Sequence, residues 1–211
     1  GVSYSFYTCV RTGECFRVDT DTDTLSEQEI YENWAEVEKA DQKEVQQFVD
    51  ERVFKKRHVD SISEDEVVID GTWIRKWKRM PDGKREIKSR FCARGCFDSQ
   101  KHDVPTRSTT ATRLSQRILI SLAALLGLQL ESWDISGAFL KGFSFLKIEQ
   151  IANKMGIAMP KRKICIKPPA NVMRHLKTMN PDEFNFNLQY IGDWLLECLK
   201  AMYGLVDAPL A

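Results

Sequence analysis

The sequence has no apolar run long enough to cross a membrane. Its greasiest stretch, Ile118 to Leu130, falls short of the roughly 18 uninterrupted apolar residues that a spanning helix needs, and Ser121, Gly127 and Gln129 interrupt it. No membrane partner is therefore expected. Nor does a basic segment followed by an apolar core and a small-residue cleavage site stand at the N-terminus, and the first residue is Gly1 rather than Met, which predicts an excised piece. The six cysteines, Cys9, Cys15, Cys92, Cys96, Cys165 and Cys198, form no dense, regular framework, so reduced structural thiols are expected. Cys92 and Cys96 lie close together, but no second cysteine or histidine pair follows at finger-like spacing, which argues against a structural zinc site. Internal repeats and low-complexity tracts are also missing.

What is there suffices for a core. With 211 residues, 43% hydrophobic and 29% charged, the chain suits one domain, or one domain with an extension. The net charge of +1 conceals an asymmetry. Glu14 to Glu51 is acidic, whereas Arg75 to Lys101 carries Arg75, Lys76, Lys78, Arg79, Lys84, Arg85, Lys88, Arg90, Arg94 and Lys101 against Asp82, Glu86 and Asp98. Such a block can meet phosphates; a merely solvated hairpin face would show the same pattern.

Residues 1–24 read as an extension that need not be ordered and carries no chemistry. Ser26 with Glu29 three residues on marks a helix start, and Ile30, Trp34, Val37, Val45, Phe48 and Val49 continue at helical spacing, predicting one long amphipathic helix. A loop through the polar stretch after Phe54 leads to a strand from Val67 to Arg79. Pro81-Asp82-Gly83-Lys84 is a turn signal, and a second strand from Lys84 to Ala93 completes a basic hairpin. After a linker containing Pro105, Thr112 to Leu126 predicts a buried helix ending at Gly127. Leu128 to Asp134 then reads as a strand delivering a carboxylate at its end. Lys163 to Lys167 is a further strand, and Trp194 to Met202, stopped by Gly204, a last helix.

A carboxylate at a strand end can hold Mg²⁺ against a substrate phosphate, although an Asp there also serves as a turn former or helix cap. Asp134 is thus the first candidate. The ordered set Trp73-Ile74-Arg75-Lys76-Trp77-Lys78, Pro81-Asp82-Gly83, Lys88-Ser89-Arg90-Phe91-Cys92-Ala93-Arg94-Gly95, Trp133-Asp134-Ile135-Ser136-Gly137-Ala138-Phe139-Leu140-Lys141-Gly142, Ile166-Lys167-Pro168-Pro169 and Leu199-Lys200-Ala201-Met202-Tyr203-Gly204-Leu205 resembles the copia-type (Pseudoviridae-like) retrotransposon reverse transcriptase domain, from about Trp34 to Ala211. The resemblance implies an α+β, right-hand polymerase fold over residues 25–211, with fingers at about 45–110 and part of the palm at about 111–211. It implies RNA-directed DNA polymerase activity, in which a primer 3′-hydroxyl attacks the α-phosphate of a deoxynucleoside triphosphate with two Mg²⁺ ions assisting.

In the same terms, Asp134 is implied as the first metal-binding carboxylate, with the carbonyl of Ile135 beside it, and Phe139 as the aromatic gate against a 2′-hydroxyl. On pattern alone Phe139 reads equally as a core phenylalanine. Lys88 and Arg90, two apart on one strand face, look like the pair that grips the triphosphate. Lys78, Arg79 and Arg94 would touch template phosphates. The implied partners are an RNA or DNA template-primer, deoxynucleoside triphosphates and the remaining segments of a Pol polyprotein, and the implied setting is a cytoplasmic virus-like particle.

The match has departures. The family's aromatic-x-Asp-Asp segment, expected after Tyr203-Gly204-Leu205, is not among the 211 residues, so the piece by itself is expected to be inactive. Val206-Asp207 stands where many members have Lys-Gln, placing an acid where a triphosphate would disfavour it, and the stretch Phe143 to Lys161 reads as an insertion or an unspliced remnant. A non-catalytic nucleic-acid-binding remnant is the alternative function.

Overall fold

A computed structural model of the chain describes residues 5–8, 15–18, 23–80, 83–104, 111–131 and 137–208. In chain order the elements are β1 (Ser5–Thr8), β2 (Cys15–Val18), α1 (Glu27–Glu32), α2 (Trp34–Asp50), β3 (Phe54–His58), β4 (Val67–Arg79), β5 (Arg85–Ala93), α3 (Arg113–Leu126), α4 (Phe145–Lys154), β6 (Ile164–Lys167), α5 (Ala170–Met179) and β7 (Trp194–Cys198). The protein is α+β. Its main sheet is mixed and five-stranded, in the order β3-β7-β6-β4-β5, while β1 and β2 pair separately. No helix among the described residues is long and apolar enough to cross a membrane. The chain divides into two compact units, residues 1–44 with 73–91 and residues 45–72 with 92–211.

In the first unit β1 and β2 run antiparallel, Ser5 opposite Val18. The expected helix start is present as a reciprocal cap: the Glu29 N–H donates to the Ser26 hydroxyl at 3.3 Å, and the Ser26 N–H donates to the Glu29 carboxylate at 2.8 Å. The single long helix predicted from there is instead two. At Asn33 the backbone leaves helical values (φ −110°, ψ 28°) and the side-chain amide donates to the Glu29 carbonyl at 2.8 Å. Asparagine competes for backbone partners in this way, which is why it ends helices.

The second unit corrects two further expectations. Trp194–Cys198 is strand β7, not a helix. It pairs antiparallel with β3 (Phe54 opposite Cys198) and with β6 (Ile166 opposite Leu196), and Leu195, Leu196 and Cys198 are buried. A short, mostly apolar run such as Trp194-Leu195-Leu196 shows no period by which a buried strand can be told from a helix. The polar segment after Phe54, read as a loop, is the edge strand β3; Lys55, Lys56 and Arg57 suit an edge, where charge discourages further pairing. The 143–161 stretch, whose reading as an insertion or an unspliced remnant a helix leaves untouched, contains α4, whose first turn is capped by the Ser144 hydroxyl accepting from the Lys147 N–H at 3.3 Å.

Strand β6 forms as expected and pairs in parallel with β4, Asp70 opposite Lys167. From it, Pro168 and Pro169 lead into α5, which buries Val172, Met173 and Leu176. Helix α3 also forms where predicted, with Thr112 capping it and Gly127 ending it at φ +64°. Its burial does not follow: Leu114 is 67% and Leu125 82% exposed, and only Ala123 is buried. Leu128 to Glu131 is likewise exposed and forms no strand. An apolar stripe tells which side of a helix avoids water, and among the described residues that side of α3 is left open.

Candidate nucleic-acid interface

The basic hairpin belongs to the first unit. Its turn closes with the Met80 N–H donating to the Lys84 carbonyl at 2.8 Å and the Gly83 N–H to the Met80 carbonyl at 2.9 Å; Gly83 takes φ +83°, which glycine adopts without strain. Pro81 and Asp82 lie outside the described residues. Along β5 burial alternates, with Lys88 and Arg90 exposed and Ser89 and Phe91 buried, so the two predicted phosphate-gripping cations share one face. Beneath them Glu44 accepts the Phe91 N–H at 3.3 Å. Burial pushes the Glu44 carboxyl above the ordinary glutamate value, against the Phe91 hydrogen bond and the charges of Arg90 and Lys88, which work to lower it.

Of the other cations of the block, two in the first unit lie against tryptophan rings. Arg75 makes a two-point bond to the fully buried Asp41, Nη2 to Oδ2 at 2.6 Å and Nε to Oδ1 at 3.1 Å, and lies over the Trp73 ring. Arg85 stacks on Trp77, whose indole N–H donates to Glu29 at 3.0 Å. Lys78 and Arg79 are exposed, as is Arg94, which belongs to the second unit.

In that second unit Phe139 is half-buried and meets Tyr203 edge-on, ring centroids 5.7 Å apart at 84°. The turn that carries it begins at Gly137 (φ +67°) and is anchored by the buried Leu140, whose carbonyl accepts from the Lys200 Nζ at 3.3 Å. Two of the resembling segments, far apart in sequence, are in backbone contact. The Ala93 N–H donates to the Tyr203 carbonyl at 2.8 Å and the Gly95 N–H to the Gly204 carbonyl at 3.2 Å. A Cβ at Gly95 would strike the Gly204 carbonyl, and one at Gly204, where φ is +87°, would strike the Ala93 carbonyl. Only glycine permits this approach.

Sequence reasoning missed Arg162, which explains Asp207. The guanidinium, 5% exposed, donates to Asp207 Oδ2 at 2.7 Å, to Asp98 Oδ2 at 2.7 Å and to Gln100 Oε1 at 2.8 Å. Burial works to lower its pKa, but the hydrogen bonds to Asp98 and Asp207 prevail and raise it. Asp207 is thus a buried ion-pair partner. Its oddity in the sequence was the one available signal.

Asp134 and Ile135, to which the metal and its neighbouring carbonyl were assigned, lie outside the described residues. Among the described residues no group of three or more His, Cys, Asp and Glu side chains is arranged to hold a metal ion. Cys96, Cys165 and Cys198 are free thiols, and burial raises the pKa of Cys165 to about 11. No family model matches this sequence, and no curated protein or solved structure matches it either.

Proposed function

We propose that the chain supplies the fingers and first palm segment of a copia-type retrotransposon reverse transcriptase, an RNA-directed DNA polymerase of the right-hand fold. The observation that carries this reading is the backbone join of Ala93–Gly95 to Tyr203–Gly204, which gives the glycines of two resembling segments a common physical reason. Lys88 and Arg90 bind the triphosphate, the lysine as a point charge and the arginine through its planar fork. Phe139, held edge-on by Tyr203, blocks a 2′-hydroxyl on the incoming nucleotide. Lys78, Arg79 and Arg94 contact strand phosphates and position the template without reading its sequence.

Asp134 is the residue that would hold Mg²⁺. Two such ions, when bound, stabilise the attacking and leaving oxygens of nucleotidyl transfer. One carboxylate does not place two ions, so catalysis calls for the Asp-Asp pair that these 211 residues do not contain. Template-primer, deoxynucleoside triphosphates and the rest of a Pol polyprotein are the proposed partners, in cytoplasmic particles.

The test is Mg²⁺-dependent primer extension on an RNA template by the protein extended along its own reading frame past Ala211. Asp134→Asn is expected to abolish extension. Lys88→Ala and Arg90→Ala are each expected to raise the KM for the nucleotide by about tenfold or more, as loss of a charge-assisted hydrogen bond predicts. Extension that survives Asp134→Asn, or a frame without an aromatic-x-Asp-Asp segment, would leave a nucleic-acid-binding remnant as the better reading.

A further inference from the structure

A second cationic feature of the second unit joins Arg94 to Asp70 and Lys167, two residues to which the resemblance gives no role. Asp70 on β4 stands opposite Lys167 on β6 in the parallel register, and the Asp70 carbonyl accepts the Arg94 N–H at 2.9 Å just beyond β5. The three therefore form a row of cation, carboxylate and cation across neighbouring strands, all three exposed. They line an open cavity of about 350 Å³, together with Thr72, Pro168 and Pro169. Among the described residues none of the three side chains forms an ion pair or hydrogen bond with another.

We infer that this cavity takes one ribose-phosphate unit of a single-stranded RNA, the phosphate between Arg94 and Lys167 and the ribose 2′-hydroxyl donating to the Asp70 carboxylate. The choice of nucleic acid as ligand rests on the reading proposed above. The row carries one net positive charge, which matches a single phosphodiester. A carboxylate beside the phosphate subsite repels a bare anion, but it is a strong acceptor for a hydroxyl one sugar away, and the 2′-hydroxyl is what lets a protein distinguish RNA from DNA. Pro168 and Pro169 offer the apolar surface on which a sugar face can rest.

The experiment is equilibrium binding of one short single-stranded RNA, and of the same sequence as DNA, to the 211-residue chain over a series of salt concentrations. RNA is expected to bind about fivefold more tightly than DNA, the worth of one hydrogen bond net of water. Asp70→Ala should erase that preference while leaving DNA affinity unchanged or higher, an effect that misfolding does not produce. Arg94→Ala and Lys167→Ala should each weaken both ligands and flatten the dependence of log affinity on log salt by about 0.7, the loss of one phosphate contact on a single strand. Lys55→Ala, an exposed cation on β3, should leave the RNA-to-DNA ratio unchanged.

Equal affinity for RNA and DNA, or a preference that survives Asp70→Ala, overturns the proposal. So does displacement by free ribose 5-phosphate with the same dependence on Asp70, which would assign the cavity to a mononucleotide. An RNA preference that depends on Asp70, in a protein whose primer extension fails, would break the polymerase reading and leave this cavity standing. The reverse pattern would break the cavity alone.

Discussion

Helices α3 and α5 both present an apolar stripe at helical spacing, yet their fates differ. Helix α5 follows β6 through Pro168 and Pro169, buries Val172, Met173 and Leu176 almost completely, and is tied down where the Lys177 Nζ donates to the Phe186 carbonyl at 2.7 Å. Helix α3 exposes Leu114, Ile118, Leu119, Leu122, Leu125 and Leu126. The same division runs through the basic residues: Arg162 is held between two carboxylates at 5% exposure, while Lys78 and Lys88 point to water. Residue type and spacing decide which face is apolar or charged. Whether that face is covered depends on a second segment arriving, and a one-dimensional pattern does not contain that.

Breaking the covered side should cost most at Arg162. Arg162→Ala leaves the carboxylate of Asp98, 0% exposed, and that of Asp207 without their cation, which typically destabilises by about 3–5 kcal/mol. Denaturant unfolding would measure it, and a cost comparable to that of a surface substitution would show that the clamp is solvated after all. The paired leucines come next. Leu176→Ala, at a fully buried position in α5, is expected to cost about 2–5 kcal/mol. Leu125→Ala in α3, 82% exposed, is expected to stay within about 0.5 kcal/mol. Equal losses at the two positions would mean that α3 is covered in solution and would erase the contrast.

Local signals were legible because their physics is local. The Ser26–Glu29 cap, the hairpin around Gly83, the Thr112 start and Gly127 stop of α3, and the alternation along β5 that puts Lys88 and Arg90 on one face all follow from a few adjacent residues. What failed depended on distant partners. Trp194–Cys198 became a strand because β3 and β6 flank it, and the charged β3 became an edge because β7 offers it one side. Asp207 looked like a defect until Arg162 was found beside it, 45 residues earlier in the chain. Of the expected site, Lys88, Arg90, Phe139, Lys78, Arg79 and Arg94 are described. Only the resemblance connects them with Asp134 and Ile135.

The smallest effect tests an intermediate case, a carboxylate that is covered while its partners sit at the rim. Glu66, 2% exposed, accepts from Lys163 Nζ at 3.0 Å and Ser63 Oγ at 3.1 Å, with Arg57 at 3.5 Å; Arg57 and Lys163 are themselves 21% and 38% exposed. Burial works to raise its pKa, but the hydrogen bonds from Lys163 and Ser63 and the nearby charges hold it below the ordinary 4.5. A depressed folded-state value means that the unfolded chain binds the proton first. The stabilisation is therefore present above about pH 4.5 and is lost as pH falls through the folded value. Glu44 in the first unit has the opposite sign: its pKa is raised above 4.5, so the folded state holds the proton longer and stability declines as pH rises from 4.5 through the raised value. Glu66→Gln should flatten the acid side of the stability profile and leave the limb above pH 4.5 alone, whereas Glu44→Gln, which keeps an acceptor for the Phe91 N–H, should do the converse. Unfolding free energies measured across pH for the two variants would separate them. An unchanged acid limb in Glu66→Gln would show that exposed partners do not sustain the shift, making coverage of the whole cluster, rather than of the carboxylate alone, what distinguishes the Arg162 clamp.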